Sequence, residues 1–319
     1  MRLLAVIAVL LLSACGGGGS GPNPFPTPTP GGPLLYVADS GNNAIFEFAR
    51  TATGVDLPQT TISGGATLLV NPFPITVDPA GNIWVSNHSS PPELLSFSPK
   101  SVGAAAPATI MFVSSQGLPG ALSVTGMIFN SSGKLYVATG TANHIMVYTS
   151  PGPGTPAATQ DINGLSTQLN DAEGIAIDSA GNIYTASLGS NAVLEFAPGA
   201  TGNVAPIRVI KGFFNTGLSS PSYVAVDSTG DVFALNSGDG VITEYAPGAS
   251  GDVAPIATLT RSAMAGQIAI DSADNLYVGA LNNNPGAVLV YAPPITSSSV
   301  PLRMLQSPGF FAPTGVFAP

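Results

Sequence analysis

The sequence predicts an all-β chain, a six-bladed β-propeller of four-stranded blades. Three observations carry this. A pattern repeats at a period near 48 residues, strand-like runs recur inside each copy, and helical periodicity is absent. The clearest copies are residues 174–210 and 223–259, which share the pattern Ala-x-Asp-Ser-x-Gly followed by an aromatic residue. Looser copies contain ITVDPAGNIWVS (75–86), MIFNSSGKLYVAT (127–139) and QIAIDSADNLYVGA (267–280). A partial first copy begins LLYVADSGNNAIFEFA (34–49).

The landmarks keep their order. A turn residue stands at Asp78, Asn130, Asp178, Asp227 and Asp271, with steps of 52, 48, 49 and 44. An aromatic follows six residues later, as Trp84, Tyr136, Tyr184, Phe233 and Tyr277, with Tyr36 as the counterpart in the first copy. A second aromatic comes further on, as Phe48, Phe97, Tyr148, Phe196, Tyr245 and Tyr291. Every copy after the first holds four short runs, a to d, exemplified by Gly174–Ile177, Asn182–Ala186, Ala192–Ala197 and Pro206–Ile210. The runs are mostly apolar on both faces, as suits a sheet packed between two others. The first copy lacks run a. The last residues, Pro313 to Pro319, have its pattern, so they are expected to pair beside Leu34–Ala38 and close the ring, which removes an exposed sheet edge.

Composition bounds the partners. The 319 residues carry 8 basic and 17 acidic side chains, a net charge of −9, and offer no basic patch for nucleic acid. Charged residues are only 8%, while 38 Gly and 30 Pro imply frequent turns. The single cysteine allows no intrachain disulfide. That cysteine follows Arg2 and an apolar stretch, Leu3 to Leu12, too short to span a bilayer as a helix. Leu12-Ser13-Ala14-Cys15 resembles the bacterial lipobox. The resemblance implies cleavage after residue 14, acylation of Cys15 and export to the cell envelope, with outer membrane, periplasm or cell surface all open. Gly16 in place of an aspartate favours the outer membrane. Residues 15–33 then form a Gly- and Pro/Thr-rich tether to a propeller spanning 34–319.

The pattern Gly-x-Ala-x-Asp-x-x-Gly-Asn-Ile-Tyr resembles NHL repeats and the wider group of gluconolactonase-like and virginiamycin-lyase-like propellers. This resemblance implies the fold and leaves the activity open, because the architecture hosts unrelated functions.

The a–b and c–d turns share one face, and the more variable b–c and d–a loops share the other. Binding is expected on the variable face, around the mouth of the central channel. Its b–c loops supply Asp39, Asn42, Asn43, Asn87, His88, Asn143, His144, Asn191, Asn236, Asp239, Asn282 and Asn283, and its d–a loops supply Phe213, Phe214, Phe310 and Phe311. The amides and carboxylates also suit tight turns, and the aromatics suit either ligand stacking or packing onto the propeller. The leading expectation is a monomeric, non-catalytic module without a cofactor, binding a protein, glycan or small ligand. One alternative is a lyase or lactonase in which His88 and His144, with Asp39 or Glu173, hold a divalent metal. Another is a structural adaptor of an envelope complex. The repeated aspartates are read as turn residues whose carboxylates accept backbone N–H groups.

Overall fold

A computed structural model describes residues 33–115, 120, 122–260, 265–281 and 286–319. The expected cleavage site, Cys15 and nearly all of the tether lie outside these residues, as do Asn282 and Asn283. No helix among the described residues is long and apolar enough to cross a membrane.

Among the described residues twenty-four strands form six four-stranded antiparallel sheets. The first blade contains β1 (Leu34–Asp39), β2 (Ala44–Ala49) and β3 (Thr60–Ser63). The second contains β4 (Ile75–Val77), β5 (Ile83–Asn87), β6 (Glu93–Phe97) and β7 (Thr109–Met111). The third contains β8 (Gly126–Phe129), β9 (Leu135–Ala138), β10 (Ile145–Tyr148) and β11 (Gln160–Ile162). The fourth contains β12 (Ala172–Ile177), β13 (Ile183–Ser187), β14 (Ala192–Phe196) and β15 (Arg208–Ile210). The fifth contains β16 (Pro221–Val226), β17 (Val232–Asn236), β18 (Ile242–Tyr245) and β19 (Ala257–Leu259). The sixth contains β20 (Ala265–Ile270), β21 (Leu276–Ala280), β22 (Ala287–Tyr291) and β23 (Arg303–Leu305).

The last strand, β24 (Pro313–Phe317), joins the first sheet in the order β24-β1-β2-β3. Val37 faces Val316 and Ala38 faces Gly315, so the C-terminus supplies the inner strand of blade 1, as expected. Arg50 also donates a side-chain hydrogen bond to the carbonyl of Pro319.

Six buried clusters hold the ring together, one at each blade-to-blade interface. One joins Tyr36 and Ile45 to Ile83 and Phe97; another joins Phe46 and Phe48 to Val288 and Leu305. The two middle strands of each blade are therefore buried on both faces, while the outermost strands are only partly buried. The repeated aspartate organises the a–b turn. Asp78 Oδ1 accepts the backbone N–H groups of Ala80 and Asn82 at 3.0 and 2.9 Å, and its Oδ2 accepts Trp84 Nε1 at 3.1 Å. Tyr184 and Tyr277 donate to Asp178 and Asp271 in the same way, at 3.3 and 2.9 Å. The six-residue spacing from carboxylate to aromatic is thus a hydrogen bond.

The outer strands are guarded by the following blade. Ile62, Met111, Ile162, Ile210 and Leu305 each form a parallel bridge to a glycine in the next c–d loop: Gly103, Gly154, Gly202, Gly251 and Gly54. All five glycines have positive φ, between 57° and 80°, the region where glycine is favoured. In four of the five loops a proline stands four residues after the glycine, and Ser297 holds the matching place before Pro301 in blade 6. No such bridge joins β19 to blade 6 among the described residues.

The axis is bridged by side chains. The rings of Phe73, from blade 2, and Tyr223, from blade 5, meet edge-on with centroids 5.5 Å apart. Tyr223 donates its hydroxyl to the carbonyl of Thr125 at 3.0 Å. The Gln267 amide reaches Ile75, accepting from its N–H and donating to its carbonyl at 3.3 Å each. Gly174 permits this closeness, since a Cβ there would lie 2.6 Å from the backbone of Tyr223.

Candidate functional site

The b–c and d–a loops do share one face, and hydrogen bonds between them show it. Residues at the end of strand b hold the loop that enters their own blade. Asp39 accepts the N–H groups of Phe311 and Ala312 at 2.7 and 3.0 Å and that of Asn42 at 3.0 Å. Asn87 accepts from Val70 N–H and donates to the Leu68 carbonyl and to Glu93. Asn236 accepts from Ser219 N–H and donates to the Val241 carbonyl. Asp39, Asn87 and Asn236 are fully buried.

Four residues further along, a second set clasps the next blade. Asn43, Asn143 and Asn191 all adopt positive φ, between 50° and 62°. Their side-chain oxygens accept N–H groups from Asn71, Asp171 and Ser220, at 2.7, 2.6 and 2.8 Å. Those three partners also have positive φ. Asn42 donates to the carbonyl of Gly309, and Asp239 accepts from Val241 N–H within its own loop. The polar set on this face therefore spends its hydrogen-bonding capacity on backbone groups that the loops would otherwise leave bare.

The phenylalanines divide. Phe310 is buried against Phe46 and Phe48, with ring centroids 5.7 and 5.4 Å away, because its loop folds back over blade 1. Of the two roles open to the phenylalanines, it takes packing. Phe213 and Phe214 are 97 and 92% exposed, and Phe311 is 70% exposed. On the neighbouring d–a loop Leu165, which sequence reasoning passed over, is 98% exposed. The Phe213–Phe214 loop is held from below: Asp252 Oδ1 accepts the N–H of Asn215 at 3.0 Å, and the Asp252 carbonyl accepts Asn215 Nδ2. Gly212 is required there, since a Cβ would sit 2.0 Å from Asp252 Oδ1.

The two histidines are engaged separately. His88 hydrogen-bonds the Phe73 carbonyl through Nε2 at 3.0 Å, and its own N–H donates to Val70. His144 Nδ1 lies 2.7 Å from Asp161 Oδ1. The other oxygen of Asp161 accepts the Ser115 hydroxyl at 3.0 Å. Asp39, named as a metal ligand in the alternative reading, is fully buried and already accepts three backbone N–H groups. Glu173 sits beside Asp171 at the start of β12, and burial, reinforced by Asp171, raises its carboxyl to about 7. Among the described residues no three His, Cys, Asp or Glu converge as a metal site would require. These residues do not fit the divalent ion of the lyase or lactonase alternative.

Asp161 and Ser115 escaped sequence reasoning. A signal for Asp161 exists in the repeat. At its place in the outer strand the other blades carry Thr61, Ile110, Val209, Thr258 and Met304, so it is the one acidic residue in the register.

No known protein family matches this chain by sequence, and no curated protein does. Solved structures match by shape. A protein of unknown function from Bacteroides caccae aligns over 89% of this chain and 98% of its own, with a TM-score of 0.60 and 13% identity. A chain from a nidogen/laminin complex aligns over 89 and 97%, with a TM-score of 0.63 and 15% identity. Virginiamycin B lyase from Staphylococcus aureus aligns over 85 and 84%, with a TM-score of 0.50 and 13% identity. At these identities the likeness establishes the fold alone: the chain is a six-bladed β-propeller.

Proposed function

We propose that this chain is an exported, lipid-anchored propeller of the NHL kind whose variable face docks a partner and catalyses nothing. The observation that supports it most is the Phe213–Phe214 loop. Exposing two whole phenylalanines costs hydrophobic free energy, roughly 1.5–3 kcal/mol for each such side chain. A loop held by Asp252 and Gly212 keeps them exposed at a fixed place. Rigid aromatics in solvent are what an interface core is built from. Leu165, on the adjoining d–a loop, is a third exposed apolar side chain on the same face. The propeller chain in the nidogen/laminin complex is consistent with such a role for the fold, as the lyase is with the enzymatic alternative.

The test is a Phe213→Ser/Phe214→Ser double variant beside the parent, each cross-linked in native membranes with a photoreactive group at position 165. A discrete adduct in the parent, lost in the double variant while the melting temperature stays within about 2 °C, is the expected result. Adducts unchanged by the double variant would overturn the docking role. Mass spectrometry of the mature N-terminus tests the anchor: a diacylated or triacylated Cys15 is expected. An uncleaved or unmodified N-terminus overturns it. A co-purified protein in stoichiometric amount would point to the adaptor form of this reading.

A further inference from the structure

A groove of about 430 Å³ runs along the perimeter between blades 2 and 3. Its volume falls in the range of small-molecule pockets. Asp161 lines it with Ser115 and Thr155, beside Pro156, Ala158 and the nearly buried Met146. The carboxylate is held in place, because His144 Nδ1 fixes one oxygen and the Ser115 hydroxyl fixes the other. Each oxygen keeps a free lone-pair direction after accepting one bond. Asp161 remains about a quarter exposed.

Among the described residues the ionic partner of Asp161 is His144, a cation only when protonated. No lysine or arginine is among its lining residues, and the partners of Asp161 are a hydroxyl and an imidazole. Blade 4 shows the contrasting case. There Glu195, on the strand next to the outer one, is paired by Arg208 of the chain itself. We propose that the groove beside Asp161 binds a primary ammonium or guanidinium group carried on an aliphatic stem. The charged head sits on Asp161 with the hydroxyls of Ser115 and Thr155 beside it. The stem lies along Met146, Pro156 and Ala158. A carboxylate fixed by two donors loses little freedom on binding a cation, and a methylene stem covers an apolar wall that a sugar or a simple ion would leave bare. The site is separate from the Phe213–Phe214 loop and stands or falls without it.

Met146 supplies the reporter. The chain has only six methionines, so a ¹³C-methyl-methionine spectrum of the full chain is sparse, and Met146→Leu assigns the peak. The probes are Nα-acetyl-lysine amide, Nα-acetyl-arginine amide and the uncharged Nα-acetyl-norleucine amide. The lysine and arginine probes are expected to shift the Met146 methyl saturably, with norleucine at least tenfold weaker. Asp161→Asn should abolish the shift, Ser115→Ala should weaken it several-fold, and Asp239→Asn, on an exposed loop elsewhere, should leave it unchanged. Equal shifts with norleucine, or no shift at 20 mM of any probe, would overturn the proposal in the parent protein without any variant. Retention of the shift in a folded Asp161→Asn chain would do the same. Cadaverine and the peptide Gly-Gly-Lys-Gly-Gly distinguish the source: comparable affinities mark a free amine, and binding of the peptide alone marks a side chain from a partner.

Discussion

Asp39 accepts three backbone N–H groups while fully buried, two of them from the loop that delivers the closing strand. Asp39→Ala would strand those donors, at about 1–3 kcal/mol for each one left unsatisfied. We expect a total loss of about 3 kcal/mol in urea denaturation, against about 1 kcal/mol for Asn43→Ala, which frees one exposed N–H. A second residue-scale effect concerns pH. Burial raises Glu47, Glu173 and Glu244 from 4.5 to about 7, and Glu47 Oε1 and Glu244 Oε2 have no hydrogen-bond partner. A carboxyl with a raised folded pKa favours the folded state while protonated. Its contribution is complete below about 4.5 and is lost as pH climbs through 7. The melting temperature should therefore fall between pH 5 and pH 8. Glu47→Gln with Glu244→Gln should flatten that slope, restoring about 1–3 kcal/mol per residue at pH 8. A melting temperature that rises over this range would refute the assignment.

At the level of the strand, blades 1, 4 and 5 place a glutamate at the same position, and only blade 4 answers it. Arg208 faces Glu195 across the pair, whereas Thr60 faces Glu47 and Ala257 faces Glu244. Ala257→Arg should raise the pH 8 melting temperature and leave the pH 5 value nearly unchanged. The outer strands give another element-scale expectation. Ser63 and Lys211 donate their N–H groups to Gly103 and Gly251 of the following blade. Among the described residues Thr260 has no equivalent bond to the following blade, so its amide should exchange with solvent at least tenfold faster than those two. Most of this architecture was legible in the sequence, since the aspartate, the aromatic six residues later and the glycine before the proline recur in register. What was not legible comes from residues that break register. Asp161 meets His144 and Ser115 across 17 and 46 residues, through pairings that only the folded sheet creates. The candidate loop amides were easy to find for the same reason that they are structural: turn chemistry repeats, so repetition marked scaffold. The exposed Leu165 and Phe213–Phe214 depart from that repetition.

The ring as a whole depends on seven residues at its end. β24 pairs with β1, packs Val316, followed by Ala318 just beyond it, into the cluster shared by blades 6 and 1, and approaches blade 6 so closely that a Cβ on Gly266 would meet the Thr314 carbonyl at 2.1 Å. Removing residues 313–319 would bare the edge of β1, uncover Leu35 and Val37, and leave Asp39 facing a chain end in place of the closing loop. A repeat fold without closure retains its interior interfaces. The expected outcome is therefore partial: blades 3 to 5 stay protected from hydrogen exchange while blades 1 and 6 lose protection, and unfolding becomes two transitions in place of one. The peptide Pro-Thr-Gly-Val-Phe-Ala-Pro, added in trans, should restore the single transition by filling the vacant strand position. A truncated chain that still unfolds in one step at the parental midpoint would mean that the inner contacts of Phe73, Tyr223 and Gln267 across the axis close the ring by themselves.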